Sequence, residues 1–291
     1  MKTKLMAILL IILTCAMVKD KPAYVLYDKK GNLTSYEKLL NEANEADIVF
    51  FGELHDNPIC HWLQLELTKD LFKTKKDELV LGAEMFEADN QLLLDEYMSG
   101  IIKGSNFETE VKLWPNYKTD YKPLLEFSRK NKISFIATNI PRRYASLVNK
   151  AGFEALDALS KEAKSFIAPL PFKYNADLNC YKQMLKPDSS GMGGASHISS
   201  NLPKAQAAKD ATMAHFILQN WSKGKVFLHF NGTYHSDDFE SIVWYLKDAK
   251  PKLKILTIAS IEQATMDTLS KENYNKADYI LCIPADMCKT H

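Results

Sequence analysis

The sequence predicts an α/β fold in which a parallel sheet is flanked by helices and carries a smaller inserted helical domain. Short apolar runs alternate with amphipathic stretches along most of the 291 residues, as is typical of repeated βα units around a parallel sheet. Hydrophobic residues make up 46% and charged residues 25% of the chain, which is an ordinary globular composition. The alternation breaks between residues 141 and 224, where we expect the insertion.

The apolar runs predict seven strands. Several are apolar throughout, as strands are when helices cover both faces of the sheet. In chain order they are "AYVLYD" (23–28), "DIVFFGE" (47–53), "ELVLGAE" (78–84), "ISFIAT" (133–138), "VFLHFN" (226–231), "KILTIA" (254–259) and "DYILCI" (278–283).

The stretches between these strands have apolar residues three and four positions apart, which is the spacing of helices that cover a sheet. They are "SYEKLLNEANEA", "CHWLQLELTKDLFKTK", "ADNQLLLDEYMSG", "DYKPLLEFSRKN" and "SDDFESIVWYLKDA". Strands and helices together assign residues 20–140 and 225–291 to one α/β domain.

The predicted helical insertion covers residues 141–224. Two segments with helical patterns, "PRRYASLVNKAGFEALDALSKEAKSFIA" and "NLPKAQAAKDATMAHFILQNW", flank a middle part rich in Pro, Gly and Ser. Long loops of this kind in compact domains are usually functional or mobile. We therefore expect the middle part to form a flexible cover over the α/β domain.

The first residues have the pattern of an export signal. Lys2 and Lys4 precede an apolar run over residues 5–13, which is too short to span a bilayer, and Cys15 follows as in a bacterial lipobox. We expect residues 1–15 to be a signal peptide with Cys15 lipidated, and simple secretion is the alternative. Ala16 is not an inner-membrane retention signal, so we expect a lipid-anchored protein at the outer membrane, facing the periplasm.

Charge and cysteine usage exclude several classes of partner. The net charge of +1 lacks the basic excess that nucleic-acid binding requires. No C-x-x-C-H motif occurs, which excludes covalent attachment of a c-type haem. Four further cysteines lie beyond Cys15, and a bridge between Cys282 and Cys288 would close a short loop in an oxidising compartment.

Polar residues cluster where the predicted strands end, which is where parallel sheets bind ligands. Glu53 and His55, Glu84, and His235 follow three different strands. One interpretation is a zinc or manganese site built from about three of these four residues. Another is a catalytic acid and the residue that orients it, formed by Glu53 and His55, because residues two apart in an extended chain point the same way.

The segment "NIPRRYA" suggests a different ligand. Arg142 and Arg143 lie beside Tyr144, and nearby positive charge stabilises a phenolate over a phenol. Tyrosine is a known axial ligand of haem iron, and arginine pairs well with carboxylates such as the haem propionates. The alternative is an ordinary helix with an aromatic residue and two solvated arginines.

The insertion supplies further candidates for a flat apolar ligand with an anionic edge. They lie on or near the predicted cover and are Tyr174, Tyr181, His197 and Lys204.

Five ordered motifs carry a resemblance to a known family. "FFGELHDNP", "LGAEMFE", "TNIPRRYASLV", "LPKAQAAKDATMAHFI" and "FNGTYHSD", behind a lipobox-like signal, resemble the ChaN family of iron-regulated, haem-binding lipoproteins. The resemblance implies non-covalent haem held between two subunits of a homodimer, and a role in haem uptake beside an outer-membrane receptor. It also implies a tyrosine on the iron and a histidine and a lysine at the propionates.

Carried onto this chain, the resemblance favours Tyr144 as the iron ligand, with Tyr174 and Tyr181 as alternatives. It favours His197 and Lys204 at the propionates. The broader superfamily includes erythromycin esterase-like and Tiki-type proteins, whose strand-end residues are associated with hydrolysis, and Glu53, His55, Glu84 and His235 match that pattern.

Three functions follow from the sequence. The first is a haem-binding lipoprotein of an uptake system, which is a transport protein rather than an enzyme. The second is a metal-dependent periplasmic hydrolase, with Glu53 or Glu84 as general base and the histidines as ligands. The third is a binding module for another small apolar anion.

Overall fold

The computed structural model describes residues 20–186 and 199–290, and all seven predicted strands are confirmed in it. The predicted signal peptide with Cys15 and the predicted propionate ligand His197 lie outside the described residues. The strands are β1 (Val25–Asp28), β2 (Ile48–Glu53), β3 (Leu79–Glu87), β4 (Ser134–Asn139), β5 (Val226–Gly232), β6 (Ile255–Gln263) and β7 (Tyr279–Pro284).

The strands form one sheet in the order β1-β7-β6-β2-β5-β3-β4. All neighbours from β2 to β7 are parallel, as predicted. β1 differs, because it pairs antiparallel with β7 at the edge of the sheet. An antiparallel edge strand on a parallel sheet is a common arrangement. β2 and β5 lie at the centre, so their carboxyl ends open onto the middle of one sheet edge.

The helices cover both faces of this sheet. They are α1 (Tyr36–Asn44), α2 (Pro58–Lys75), α3 (Gln91–Ser99), α4 (Gly104–Glu110), α5 (Lys122–Asn131), α6 (Arg142–Ala151), α7 (Lys161–Lys164), α8 (Asn179–Gln183), α9 (Leu202–Asn220) and α10 (Ile242–Ala249).

Local signals fix where the helices near the strand ends begin and end. Asn57 caps α2 because its side chain accepts a hydrogen bond from the Ile59 amide (3.0 Å), and Pro58 occupies the first helical position, where its missing N–H costs nothing. α3 ends at Gly100, which adopts the left-handed conformation (φ 81°) that glycine tolerates best.

Each face of the sheet has its own apolar core. On one face, Phe51 and Leu81 pack with Leu67 of α2 and Leu125 of α5. On the other face, the core unites the sheet with helices from the region predicted as an insertion. Its buried members include Phe50, Phe227, Val148 of α6, Met213 of α9 and Leu246 of α10. α6 and α9 therefore cover the sheet.

The cysteines within the described ranges are all free. Cys60, Cys180 and Cys282 are buried, and Cys288 is exposed. The bridge that we considered between Cys282 and Cys288 is therefore absent, and the thiol of Cys282 instead contacts the sulfur of Met266 (3.6 Å). Among residues 20–186 and 199–290, no helix is both long and apolar enough to cross a lipid bilayer.

Candidate functional site

A cavity of about 940 Å³ opens at the carboxyl ends of the central strands. Its walls come from the residues that follow β2, β3, β4 and β5, together with one side each of α6 and α9. This is the edge at which parallel sheets bind ligands, because loops from several strands converge there. The four strand-end residues Glu53, His55, Glu84 and His235 all line this cavity, as the sequence predicts.

Glu53, at the end of β2, is completely enclosed and paired on both oxygens. Its Oε1 lies 2.9 Å from Nδ1 of His55 and accepts the Tyr121 hydroxyl (2.6 Å), while Oε2 accepts the Gln64 amide (2.5 Å). Burial disfavours the charged carboxylate, but the hydrogen bond from His55 and the nearby His61 imidazole outweigh it, so the pKa of Glu53 is lowered.

His55 is the partner that faces the cavity, with 40% of its side chain exposed. The edge of its ring contacts Trp114, with 4.8 Å between ring centroids. A Cβ at Gly232 would lie only 2.7 Å from Nε2 of His55, so a larger residue there would displace the imidazole from this position. Burial lowers the pKa of His55, but its hydrogen bond to Glu53 and that carboxylate's charge raise it to a greater extent.

His235 forms a second, deeper pair. Its Nε2 lies 3.2 Å from Oε1 of Glu84, and its Nδ1 lies 2.5 Å from Oδ1 of Asp210 on α9. The other Asp210 oxygen accepts the Tyr181 hydroxyl (2.8 Å), and Oε2 of Glu84 accepts the Gly232 amide (2.8 Å). A continuous buried series of hydrogen bonds therefore runs from α8 to the end of β3.

The charges of this series follow from its pairing. Burial opposes a charge on His235, but the two carboxylates of Glu84 and Asp210 raise its pKa to about 9. Glu84 is also buried, yet the charge of His235 and its hydrogen bond lower the pKa of the Glu84 carboxyl strongly. His235 is therefore a fixed cation near neutral pH, whereas His55 is a cavity-facing imidazole with a single carboxylate partner.

Two chemical roles suit this arrangement. An imidazole that is held by a carboxylate and faces a cavity is the usual form of a general base, and a fixed cation beside it stabilises negative charge on a ligand. Within residues 20–186 and 199–290, no group of three or more His, Cys, Asp or Glu side chains is arranged to hold a metal ion.

Two cationic residues and one tyrosine also line the cavity. Arg142 and Lys209 line it from α6 and α9, and 59% of the Arg142 side chain is exposed. Tyr234 lines it just after β5, with its hydroxyl hydrogen-bonded to the Cys180 carbonyl. Burial raises the pKa of Tyr234 to about 12.

Comparison with known proteins identifies the family. Residues 39–246 match the family model described as haem-binding uptake, Tiki superfamily, ChaN, which covers most of the chain. The chain belongs to the ChaN family. The fold agrees, since the chain is similar to ChaN of Campylobacter jejuni with a TM-score of 0.67 and 19% identity, over 90% of this chain and 97% of that one. In that protein, haem binds cofacially.

Two further proteins are similar to this chain. The chain resembles a succinoglycan biosynthesis protein in fold, with a TM-score of 0.51 and 14% identity over 85% of this chain and 90% of the other. It is also 28% identical over 221 residues to the chloroplast protein RETICULATA-RELATED 5 of Arabidopsis thaliana. That match covers 72% of this chain but only 28% of the plant protein.

The tyrosines predicted to bind haem in this ChaN family member occupy three different environments. Tyr144 is half-buried on α6, under the Arg143 guanidinium (4.4 Å from the ring centroid), which also donates to its hydroxyl (3.3 Å). Tyr174 is half-buried against Phe153. Tyr181 is buried, and its hydroxyl is bonded to Asp210. None of the three lines the cavity, whereas Tyr234 does.

The predicted arginines and lysine also differ in whether they line the cavity. Arg142 reaches the cavity, but Arg143 pairs with Asp89 (2.5 Å) outside the lining. Lys204 lies near Gly152, with its Nζ 3.7 Å from where a Cβ would be.

Sequence reasoning did not identify Asp210, Lys209 or Tyr234 as site residues. Asp210 had a detectable signal, since it is a charged residue among the small residues Ala207, Ala208 and Ala211 of one helical segment.

Proposed function

We propose that this ChaN family protein binds haem as a cargo in the cavity at the strand ends. Family membership is the observation that carries this proposal, and the cavity gives it a location. A volume of about 940 Å³ lies within the usual range of ligand sites, and the lining combines apolar residues such as Met85 and Ile140 with a few polar groups. These residues fit a large flat ligand that carries carboxylates.

Tyrosine ligation of the iron is part of the proposal, and two tyrosines compete for it. Tyr144 is favoured by the family motif and by the guanidinium over its ring. Tyr234 is favoured by its place in the cavity wall, and we rank it first for that reason. Its pKa of about 12 means that its hydroxyl must lose a proton when it binds iron. We therefore expect haem affinity to rise with pH.

Tyr174 and Tyr181 are the remaining candidates. Ligation by Tyr181 requires its hydrogen bond to the buried carboxylate of Asp210 to break, whereas ligation by Tyr234 releases only the neutral carbonyl of Cys180. We rank it last.

The propionates need cations, and we propose Arg142 and Lys209 for this role because both line the cavity. Lys204 and His197 are the residues that the family resemblance favours. An arginine binds a carboxylate through two parallel hydrogen bonds, whereas a lysine supplies a point charge.

We further propose that this protein is an exported lipoprotein anchored through Cys15 at the outer membrane, and that it supplies haem to an outer-membrane receptor. The cofacial haem of the Campylobacter jejuni protein supports a homodimer in which the cavities of two subunits face one another. Binding linked to dimerisation makes the dimer more stable when haem is present.

Titration of haemin into the purified protein tests the proposal. The Soret band and the tyrosinate-to-iron charge-transfer band report binding and ligation. We expect Tyr234→Phe to abolish the charge-transfer band, and Tyr144→Phe, Tyr174→Phe and Tyr181→Phe to retain it. Retention of the band in Tyr234→Phe and its loss in Tyr144→Phe would reverse our ranking. Retention in all four variants would defeat tyrosine ligation.

The oligomer and the cations need separate measurements. Sedimentation with and without haemin is expected to show a dimer only with haemin.

Arg142→Gln and Lys209→Gln are expected to weaken haemin binding by about tenfold each, since a charged hydrogen bond contributes roughly 1.5–3 kcal/mol when desolvated and less when partly exposed. Lys204→Gln tests the lysine that the family resemblance favours, and we expect a smaller effect because Lys204 does not line the cavity.

A second candidate function is hydrolysis, and the pairing of Glu53 with His55 favours it. In this alternative His55 removes a proton from a water molecule, and the cationic His235 stabilises the negative charge that develops on the substrate. Turnover of chromogenic esters that disappears in His55→Gln would support it. Equal turnover in the wild type and in His55→Gln and Glu53→Gln would exclude it, and metal analysis would test the metal-dependent version.

A further inference from the structure

The segment that follows β7, residues 285–290, contacts and stabilises the loop that carries His55. Its main chain is held at one end by the Ala285 amide, which donates to the Gln263 carbonyl (3.0 Å) at the end of β6. At the other end the Thr290 amide donates to the Asp56 carbonyl (2.9 Å), one residue after His55. The segment therefore joins the neighbouring strand β6 to the loop between β2 and α2.

The Thr290 hydroxyl begins a series of hydrogen bonds that ends at His55. It donates to Oδ2 of Asp120 (2.8 Å), a carboxylate that is only 4% exposed. The same oxygen accepts the amide of Asn116 (2.7 Å), and that amide also donates to the main-chain carbonyl of His55 (2.7 Å). His61 contributes from α2, because its Nε2 lies 3.0 Å from the same carbonyl.

Lys289 holds the loop through charge. Its Nζ lies 2.5 Å from Oε1 of Glu262 and 3.3 Å from Oδ1 of Asp56. The same Glu262 oxygen accepts the side-chain amide of Asn57 (3.0 Å), which is the residue that caps α2. One ammonium group thus joins two carboxylates, one from β6 and one from the loop.

We propose that Lys289 and Thr290 are positioning residues for the cavity, because they hold Asp56, the residue after His55, and the Asp120–Asn116 pair that holds the His55 carbonyl. Without the Thr290 hydroxyl, Asp120 loses a donor and the Asn116 amide that holds the His55 carbonyl is less fixed. Without the Lys289 ammonium group, Asp56 and Glu262 lose their shared cation. The imidazole that faces the cavity then loses its defined place beside Glu53 and Gly232. Neither residue lines the cavity, so an effect on the cavity must pass through the loop.

Two pairs of variants separate positioning from general stability. Thr290→Val removes the hydroxyl at nearly constant volume, whereas Thr290→Ser keeps it. Lys289→Met removes the ammonium group, whereas Lys289→Arg keeps a cation. Each is measured without ligand, by amide hydrogen exchange across the whole chain and by the NMR signals of the His55 ring.

We expect Thr290→Val and Lys289→Met to speed amide exchange in residues 54–57 by about fivefold, which corresponds to the loss of roughly 1 kcal/mol. The His55 ring signals are expected to shift. Exchange in β5 should stay unchanged, and Thr290→Ser and Lys289→Arg should resemble the wild type. Uniform acceleration across β5 and the loop, no acceleration anywhere, or a Thr290→Ser variant that behaves like Thr290→Val would overturn the proposal.

Haemin titration of the same variants extends the test to function. Because this arm rests on the proposed haem site, we expect weaker binding in Thr290→Val and Lys289→Met only if the wild type binds haemin. A wild type that does not bind haemin, with loop exchange altered as expected, would defeat the proposed function and leave the positioning role intact. If the wild type binds haemin but loop exchange is unaltered in the variants, the proposed function stands and the positioning role is defeated.

Discussion

The two imidazoles at the cavity floor have the same type of partner but different surroundings. His55 has one carboxylate, Glu53, and 40% of its side chain is exposed. His235 has two carboxylates, Glu84 and Asp210, and only 6% of its side chain is exposed. Carboxylate pairing alone therefore does not define a reactive histidine. Exposure decides which imidazole can exchange protons with a ligand, and enclosure turns the other into a fixed charge.

The largest expected effect tests the enclosed pair. Asp210→Asn removes one of the two charges that hold His235 and disturbs the bond to Tyr181. His235 stays paired with Glu84, but a buried charge-assisted hydrogen bond is lost and the Tyr181 hydroxyl loses a charged acceptor, so we expect the free energy of unfolding to fall by about 2–3 kcal/mol. His55→Gln is the matched variant, with an expected loss of about 1 kcal/mol, because Glu53 keeps Tyr121 and Gln64 as donors. Denaturant unfolding measures both.

Equal losses in the free energy of unfolding for Asp210→Asn and His55→Gln would contradict this distinction. They would mean that the two pairs contribute to stability in the same way despite the difference in exposure.

The second effect is the pH dependence of stability. The pKa of His235 is about 9 in the folded protein and close to 6.5 when the chain is unfolded, so folding favours its protonated form. Its contribution is fully present below pH 6.5 and is lost as pH rises through about 9. We expect the free energy of unfolding to fall by roughly 2 kcal/mol between about pH 6 and pH 8.5.

His235→Gln is the control for this pH dependence. Most of the fall between pH 6 and pH 8.5 should disappear in it, and the smaller part that remains is assigned to His55, whose pKa is also raised. Stability that rises with pH over this range in the wild type would contradict the cationic state of His235.

The sheet and the cavity rim could be predicted from the sequence for a clear reason. A strand covered on both faces is apolar throughout, so β2, β3 and β5 can be recognised as apolar runs in the sequence. Their parallel arrangement then brings their carboxyl ends to one edge of the sheet. Glu53, His55, Glu84 and His235 were found in this way. The direction of β1 was not, because an edge strand with four residues pairs through main-chain contacts that its side chains do not encode.

The residues that we propose for haem binding were harder to predict, because they depend on which side of a helix faces the cavity. Tyr144 and Arg142 are two positions apart on α6, yet only Arg142 lines the cavity. Lys204 and Lys209 lie on α9 five positions apart, and only Lys209 does. Residues two or five positions apart on a helix project about 200° and 140° apart. A motif can therefore identify a helix without identifying which of its side chains face the cavity.

The smallest expected effect tests the space that His55 occupies. Gly232→Ala adds a Cβ that would lie 2.7 Å from Nε2 of His55. That nitrogen is at the far end of a partly exposed side chain, so the imidazole can move away, and we expect a loss of only about 1 kcal/mol in stability. His235 is enclosed and should keep its place. The NMR ring signals of His55 should therefore shift while those of His235 change little.

Gly104→Ala is the matched control for Gly232→Ala, because the nearest atom to its added Cβ is a ring carbon of Tyr97 at an ordinary 3.4 Å. We expect the control to stay within about 0.5 kcal/mol of the wild type, as surface substitutions usually do. If Gly232→Ala shifts the His235 signals as much as those of His55, then the two imidazoles move as one unit. The distinction between a cavity-facing imidazole and a fixed cation would then fail, because a movement of His55 would necessarily disturb the Glu84 and Asp210 pairs behind it.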